Sequence, residues 1–405
     1  MKWKVNERAR QENQKTSAEF LNQEVVKQVM QFHKSVDNYA PTPLWSLNNL
    51  AEHLGVEQIF VKDESYRFGL NAFKVLGGSY AMGRYLAKCL ELPLEGLSFN
   101  YLKSAEIRSR LGDITFTTAT DGNHGRGVAW AAQQLGQKAV VYMPAGSAQR
   151  RLENIKATGA EAYITDLNYD DAVRFALQKA QELGWVMVQD TAWDGYEEIP
   201  TWIMQGYATM ASEALEQMKG EKPTHIFIQA GVGALAGAMV GFFASAFPDD
   251  PPIAVIVEPD KADCLYRSAL EGKIKNVGGD MNTIMAGLAC GEPNPIGWNI
   301  LYDYANAFIS CPDNLSARGM RILGNPLGTD PRIISGESGA IGIGVLSEIM
   351  QDTALGKLRE SLKLNKDSKI LFFSTEGDTD PDKYRSIVWD GEFESFKKEG
   401  KINAQ

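Results

Sequence analysis

Residues 114–189 alternate β-rich and helical segments so regularly that few folds remain open to the chain. Residues 114–120, 139–143, 161–165 and 185–189 read as strands, with helices at 127–135, 148–158 and 170–183 between them. The last helix carries Val173, Phe175, Ala176, Ala180 and Leu183 at mixed three- and four-residue steps, a core-facing stripe. Gly136, Gly159 and Gly184 each fall just past a helix, where a left-handed cap is wanted. Strand–helix units of this length imply a parallel sheet with helices on its faces.

A second series follows at 226–229, 253–258 and, much later, 370–373. The expected fold class is therefore α/β, with two lobes, each an open and mostly parallel sheet with helices on both faces. Ligands in such folds sit beyond the carboxyl ends of the strands, so the loops after strands are where chemistry is sought. Residues 260–304, rich in Gly, Pro, Asn and Met, read as irregular, a candidate lid or subunit contact. Between Thr224 and Pro248 there is no Asp, Glu, Lys or Arg, and Gly233, Gly237 and Gly241 repeat at the spacing of membrane helix dimers. The stretch opens on a β-branched run and ends on Asp249 and Asp250 with no basic cluster, so a buried strand–loop–helix unit is the better reading.

Composition narrows the partners. With 44% apolar residues in 405, the chain can bury a large core. The balance of 41 basic to 51 acidic residues, net -10, argues against nucleic acid as a partner. The start of the chain has no apolar run after its charges, so no secretory signal is expected, and the cytoplasm is the default location. Cys89, Cys264, Cys290 and Cys311 form no C-x-x-C pair; four free thiols are expected, with a Cys264–Cys290 bridge as the alternative. His33, His53, His124 and His225 have no metal-ligand spacing, and no metal is expected.

Three loops carry candidate chemistry. Lys74, between Phe73 and Val75 at the start of a helix, is a candidate nucleophile, since apolar surroundings would lower its pKa. A lysine on a wet helix face is the ordinary alternative. The loop from Thr120 through Asp121, Gly122, Asn123, His124 and Gly125 to Gly127 offers open backbone and polar groups to a cleft; a simple capping turn is its alternative. The loop Gly231, Val232, Gly233, Ala234, Leu235 precedes a helix and could cradle a phosphate. A tight packed turn, or a dinucleotide site with Glu258 as the ribose acid, fits that loop equally well.

The order of these elements decides. Asn71-Ala-Phe-Lys74, Thr120-Asp-Gly-Asn-His-Gly-Arg-Gly127 and Gly231-Val-Gly-Ala-Leu235 resemble the cofactor-lysine, S-x-G-N-H-x-x-G and phosphate loops of the fold-type II pyridoxal-phosphate enzymes. Val257-Glu-Pro259, Glu337-Ser-Gly-Ala340 and Phe373-Ser-Thr-Glu-Gly377 are similar to further elements of that group, so the likeness runs over about residues 40 to 380. Where the dehydratases of the group have a small neutral residue, this chain has Asp121, and a second acid, Asp190, ends the strand in Gln189-Asp-Thr-Ala-Trp193. Both features resemble the diaminopropionate ammonia-lyase family.

That resemblance implies a large cofactor domain from 1–80 and 195–405, with a smaller αβ domain, 81–194, inserted after the lysine helix. It implies pyridoxal 5'-phosphate joined to Lys74 as a Schiff base, held by Asn123 and by Gly231–Leu235, with Ser374, or failing it Thr375, against the ring nitrogen. It implies β-elimination from D- and L-2,3-diaminopropionate to pyruvate and two ammonia molecules. Thr120, Asp121 and Asp190 would meet the substrate, Asp121 acting on the D isomer and Asp190 on the L isomer, with Lys74 passing a proton to the leaving group. It implies a homodimer. The rivals are a serine or threonine dehydratase or D-cysteine-type lyase on the same fold, and a non-catalytic ligand-binding protein.

Overall fold

The computed structural model describes residues 1–11, 15–93 and 95–395; residues 396–405, the end of the expected large domain, lie outside the described residues. Strands β1 (Lys2–Val5), β2 (Leu44–Ser46) and β3 (Gln58–Asp63) belong to one sheet. β4 (Thr115–Ala119), β5 (Lys138–Met143), β6 (Glu161–Ile164) and β7 (Val186–Met187) form a second, and β8 (His225–Gln229), β9 (Ile253–Pro259), β10 (Ala307–Cys311) and β11 (Lys369–Ser374) return to the first.

The larger sheet runs β1-β10-β9-β8-β11-β3-β2, parallel except at its two antiparallel edges. The smaller runs β6-β5-β4-β7 and is parallel throughout. The second sheet lies wholly inside 81–194 and the first wholly outside it. β8 and β10 are buried at every position, as strands of a parallel sheet covered on both faces are. Gly136, Gly159 and Gly184 all take positive φ, as their places after helices predicted.

Helix Ala234–Ala246 is apolar on every side because it is packed on every side, against helices Glu198–Gln217 and Pro295–Tyr304 among others. No helix among the described residues is long and apolar enough to cross a membrane. The expected helical stripe at Val173, Ala176 and Ala180 is buried, whereas Leu183 at the helix end is 54% exposed. One expectation needs correcting. The segment 260–304 is irregular only in its middle, for Cys264–Glu271 and Pro295–Tyr304 are helices. Glu258, at the end of β9, accepts from the backbone N–H groups of Leu265 and Tyr266 and so starts the first helix. Asn294 caps the second, with Pro295 in its first turn.

Helix Val75–Cys89 joins the lobes, packing on helix Glu198–Gln217 on one side and on helix Asn123–Gln134 of the small lobe on the other. The segments following β4, β8 and β11 thereby face a common cavity.

Candidate active site

Lys74 stands just before helix Val75–Cys89, tied to the end of β11 by the Phe73 N–H, which donates to Thr375 O at 3.0 Å. Its Nζ forms an ion pair with Asp190, and 17% of the lysine side chain and 4% of the aspartate remain exposed. Asp190 is held in turn by Tyr207, whose hydroxyl donates to Oδ2 at 3.4 Å, and by Asn294 Nδ2, which donates to its carbonyl at 3.0 Å. The expected low lysine pKa is not found. Burial does oppose the ammonium, but the Asp190 carboxylate outweighs it and raises the pKa above the ordinary lysine value. Asp190 is itself pushed below the usual carboxylate range, Lys74 overcoming its burial. A partner 116 positions away decides what Phe73 and Val75 alone could not.

The second loop leads into helix Asn123–Gln134. Thr120 Oγ1 accepts from the N–H groups of Gly122 at 2.9 Å and Gly125 at 3.0 Å, so this hydroxyl shapes the turn. Asp121 pairs with Arg151 at 3.0 Å, both side chains at least four-fifths buried. Asn123 Nδ2 donates to Glu376 at 2.5 Å. Lys74, Thr120, Asp121, Asn123, Asp190 and Gly231–Leu235 all line one cavity.

The third loop tests what the cavity can hold. Among the described residues, no backbone N–H from Gly231 to Ala236 donates to a protein carbonyl outside its own helix, and the loop opens helix Ala234–Ala246 at its positive end. A phosphate fits that arrangement. The dinucleotide alternative fails, because the Glu258 carboxylate is fully buried as a helix cap and does not line the cavity. With the Lys74 amine and the Asn123 amide on the same cavity, the residues present fit pyridoxal phosphate.

Ser374 does not reach the cavity. It is fully buried and donates to Ser335 Oγ at 2.8 Å, while its neighbour Thr375 lines the cavity and accepts from Gln229 Nε2 at 2.7 Å. Successive residues leaving a strand face opposite ways, and the sequence did not settle which one faced the cleft. Cys264 and Cys290 are free and buried near Gly231. Sequence reasoning missed Arg151, Tyr169, Ser338 and Glu376. For Arg151 a signal existed: an arginine in the first turn of helix Gln149–Lys156 opposes the helix dipole and asks for a specific partner.

The family profile described as "Pyridoxal-phosphate dependent enzyme" matches residues 36–376. The diaminopropionate ammonia-lyase of Escherichia coli strain K12 is 58% identical over 382 residues, 94% of each chain. Crystal structures of an Escherichia coli diaminopropionate ammonia lyase superpose closely. The complex with D-serine gives a TM-score of 0.91 at 54% identity, covering 97% of this chain and 98% of that one. The complex with an aminoacrylate-PLP azomethine reaction intermediate gives 0.88 at 53% identity, covering 97% of each. A biosynthetic L-threonine dehydratase of Pasteurella multocida is more distant, at 28% identity over 57% of this chain and 38% of its own length.

Proposed function

Because the chain belongs to the pyridoxal-phosphate dependent enzymes, we propose that it removes both amino groups from D- and L-2,3-diaminopropionate, giving pyruvate and two ammonia molecules. The observation that carries this reading is one cavity lined by a lysine, an anion-binding loop and two ion-paired aspartates. Pyridoxal phosphate, when bound, supplies the electron sink that acidifies the substrate Cα–H.

The N–H groups of Gly231–Leu235 and the start of helix Ala234–Ala246 would take its phosphate, Lys74 its carbonyl carbon and Asn123 its ring oxygen. We assign the ring-nitrogen position to Thr375, whose hydroxyl cannot hold that nitrogen protonated as a carboxylate would. A weaker electron sink results, which suits elimination. Asp121 is the base for the Cα proton of the D isomer and Asp190 for the L isomer, each carboxylate set close to a cation that orients it. Asp190 becomes available when Lys74 gives up its ammonium proton. Lys74 keeps the β-amine protonated so that it departs as neutral ammonia, and water hydrolyses the resulting enamine to pyruvate and the second ammonia. The small domain 81–194, set against a large domain of 1–80 and 195–405, supplies Asp121 and Asp190. By family likeness we take the working form to be a cytoplasmic homodimer, to be checked by light scattering.

The test is Asp121→Asn, assayed with each isomer by pyruvate release. Activity on the D isomer is expected to fall at least 100-fold with the L isomer largely spared, in line with a general base's contribution of about 10²–10⁴. Equal loss on both isomers would refute the division between the aspartates. Lys74→Ala should abolish the borohydride-sensitive absorbance of the bound cofactor; its persistence would reject Lys74.

A further inference from the structure

We infer that Glu376 receives the second ammonium group of the substrate and so distinguishes a 2,3-diamino acid from its 3-hydroxy analogue. The inference rests on the reading of the site as a diaminopropionate lyase. It starts from the cavity's charges. Lys74 and Asp190 neutralise one another, as do Arg151 and Asp121 at 3.0 Å. Glu376 lines the same cavity, is 3% exposed, and forms no ion pair among the described residues. Among the described residues Glu376 is therefore the one carboxylate lining this cavity that has no ion-pair partner, with Arg151 as the nearby cation whose field reaches it.

Its position is fixed from both lobes. Asn123 Nδ2 of the small lobe donates to Oε2 at 2.5 Å, and the Ser338 N–H at the start of helix Glu337–Gln351 donates to Oε1 at 3.1 Å. An ionised carboxylate accepts about four hydrogen bonds, so each oxygen keeps a site for a ligand. The backbone is fixed as well: Glu376 bridges Ala72, two residues before Lys74, and the Gly336 N–H donates to Glu376 O at 2.9 Å. Beside it, Ser338 Oγ is buried on the same cavity wall without a partner among the described residues. Neighbouring Glu337 registers the charge, its pKa driven up to about 7 by burial and by Glu376.

Serine and diaminopropionate differ only in carrying a hydroxyl or an ammonium on Cβ. The hydroxyl gains an ordinary hydrogen bond from this carboxylate, while the ammonium gains a charge-assisted one, roughly twice as strong.

The experiment compares wild-type, Glu376→Gln and Glu376→Asp holoenzymes at matched cofactor occupancy. KM and kcat for D-2,3-diaminopropionate are read from pyruvate release, and D-serine affinity from inhibition of that reaction. Glu376→Gln is expected to raise KM for diaminopropionate about 10- to 100-fold while D-serine affinity stays within about threefold, and Glu376→Asp to recover part of the loss. Equal weakening of both ligands, or an unchanged KM, overturns the inference. If Glu376→Gln does not fold, the wild type still decides: its preference for diaminopropionate over D-serine must vanish as pH rises past titration of the β-ammonium, and a preference that survives overturns it. A wild-type holoenzyme that releases no pyruvate from diaminopropionate would instead refute the underlying reading of the site.

Discussion

Replacing Gly127 by alanine would force apart the two helices that set the small lobe against Lys74. Helix Asn123–Gln134 meets helix Val75–Cys89 backbone to backbone at this glycine. An added Cβ would lie 2.8 Å from both Val75 Cα and Val75 N, and 3.1 Å from the Lys74 carbonyl carbon. Non-bonded carbons rest at about 3.5–4.0 Å, so the helices must part by roughly 0.7 Å or more. Backbone atoms cannot rotate out of the way as a side chain can. Overpacking of this kind costs about 1–3 kcal/mol of stability. The displacement also separates Lys74 from Asp121 and Asn123, which the same small-lobe segment carries. A misplacement near 1 Å can cost about 10²-fold in rate, so kcat should fall at least tenfold. Urea unfolding and pyruvate release measure the two effects. Gly78→Ala is the control, since its Cβ meets the Val128 side chain at 3.3 Å, which can yield, and near wild-type behaviour is expected. A Gly127→Ala enzyme with unchanged stability and rate would refute the argument.

Two further outcomes concern buried charge. Arg67 is 1% exposed and bonds Glu64 at 2.8 Å and Glu213 at 2.8 Å, with Lys62 on Glu213 at 2.6 Å. Arg67→Met leaves two buried carboxylates sharing one lysine and should cost about 3–5 kcal/mol in urea unfolding. Glu337, 3% exposed, has its pKa raised to about 7 from 4.5, so the folded protein holds a proton that the unfolded chain has released over that window. Stability should therefore fall as pH rises from about 4.5 to 7, by roughly 2–3 kcal/mol from this group, and Glu337→Gln should flatten that slope in thermal unfolding.

Local patterning made much of the architecture legible. The parallel lobes followed from strand–helix alternation, and the cavity loops from glycines placed after strands. The parts that escaped depend on distant partners. β1 (Lys2–Val5) is a four-residue charged edge strand, defined only by pairing with β10. Helix Cys264–Glu271 begins where the Glu258 carboxylate caps it from β9, and helix Pro295–Tyr304 likewise lay in a segment that read as irregular. The charge state of Lys74 depended on Asp190, and which of Ser374 and Thr375 lines the cavity depended on which way the chain faces as it leaves β11. Each of these pairs distant positions, as burial of charge commonly does.

The most direct measurement gives the holoenzyme D- and L-2,3-diaminopropionate separately and counts pyruvate and ammonia. Two ammonia molecules per pyruvate from both isomers, at higher kcat/KM than for serine or threonine, is the predicted result. No pyruvate, or a preference for the hydroxy amino acids with one ammonia per keto acid, would contradict it.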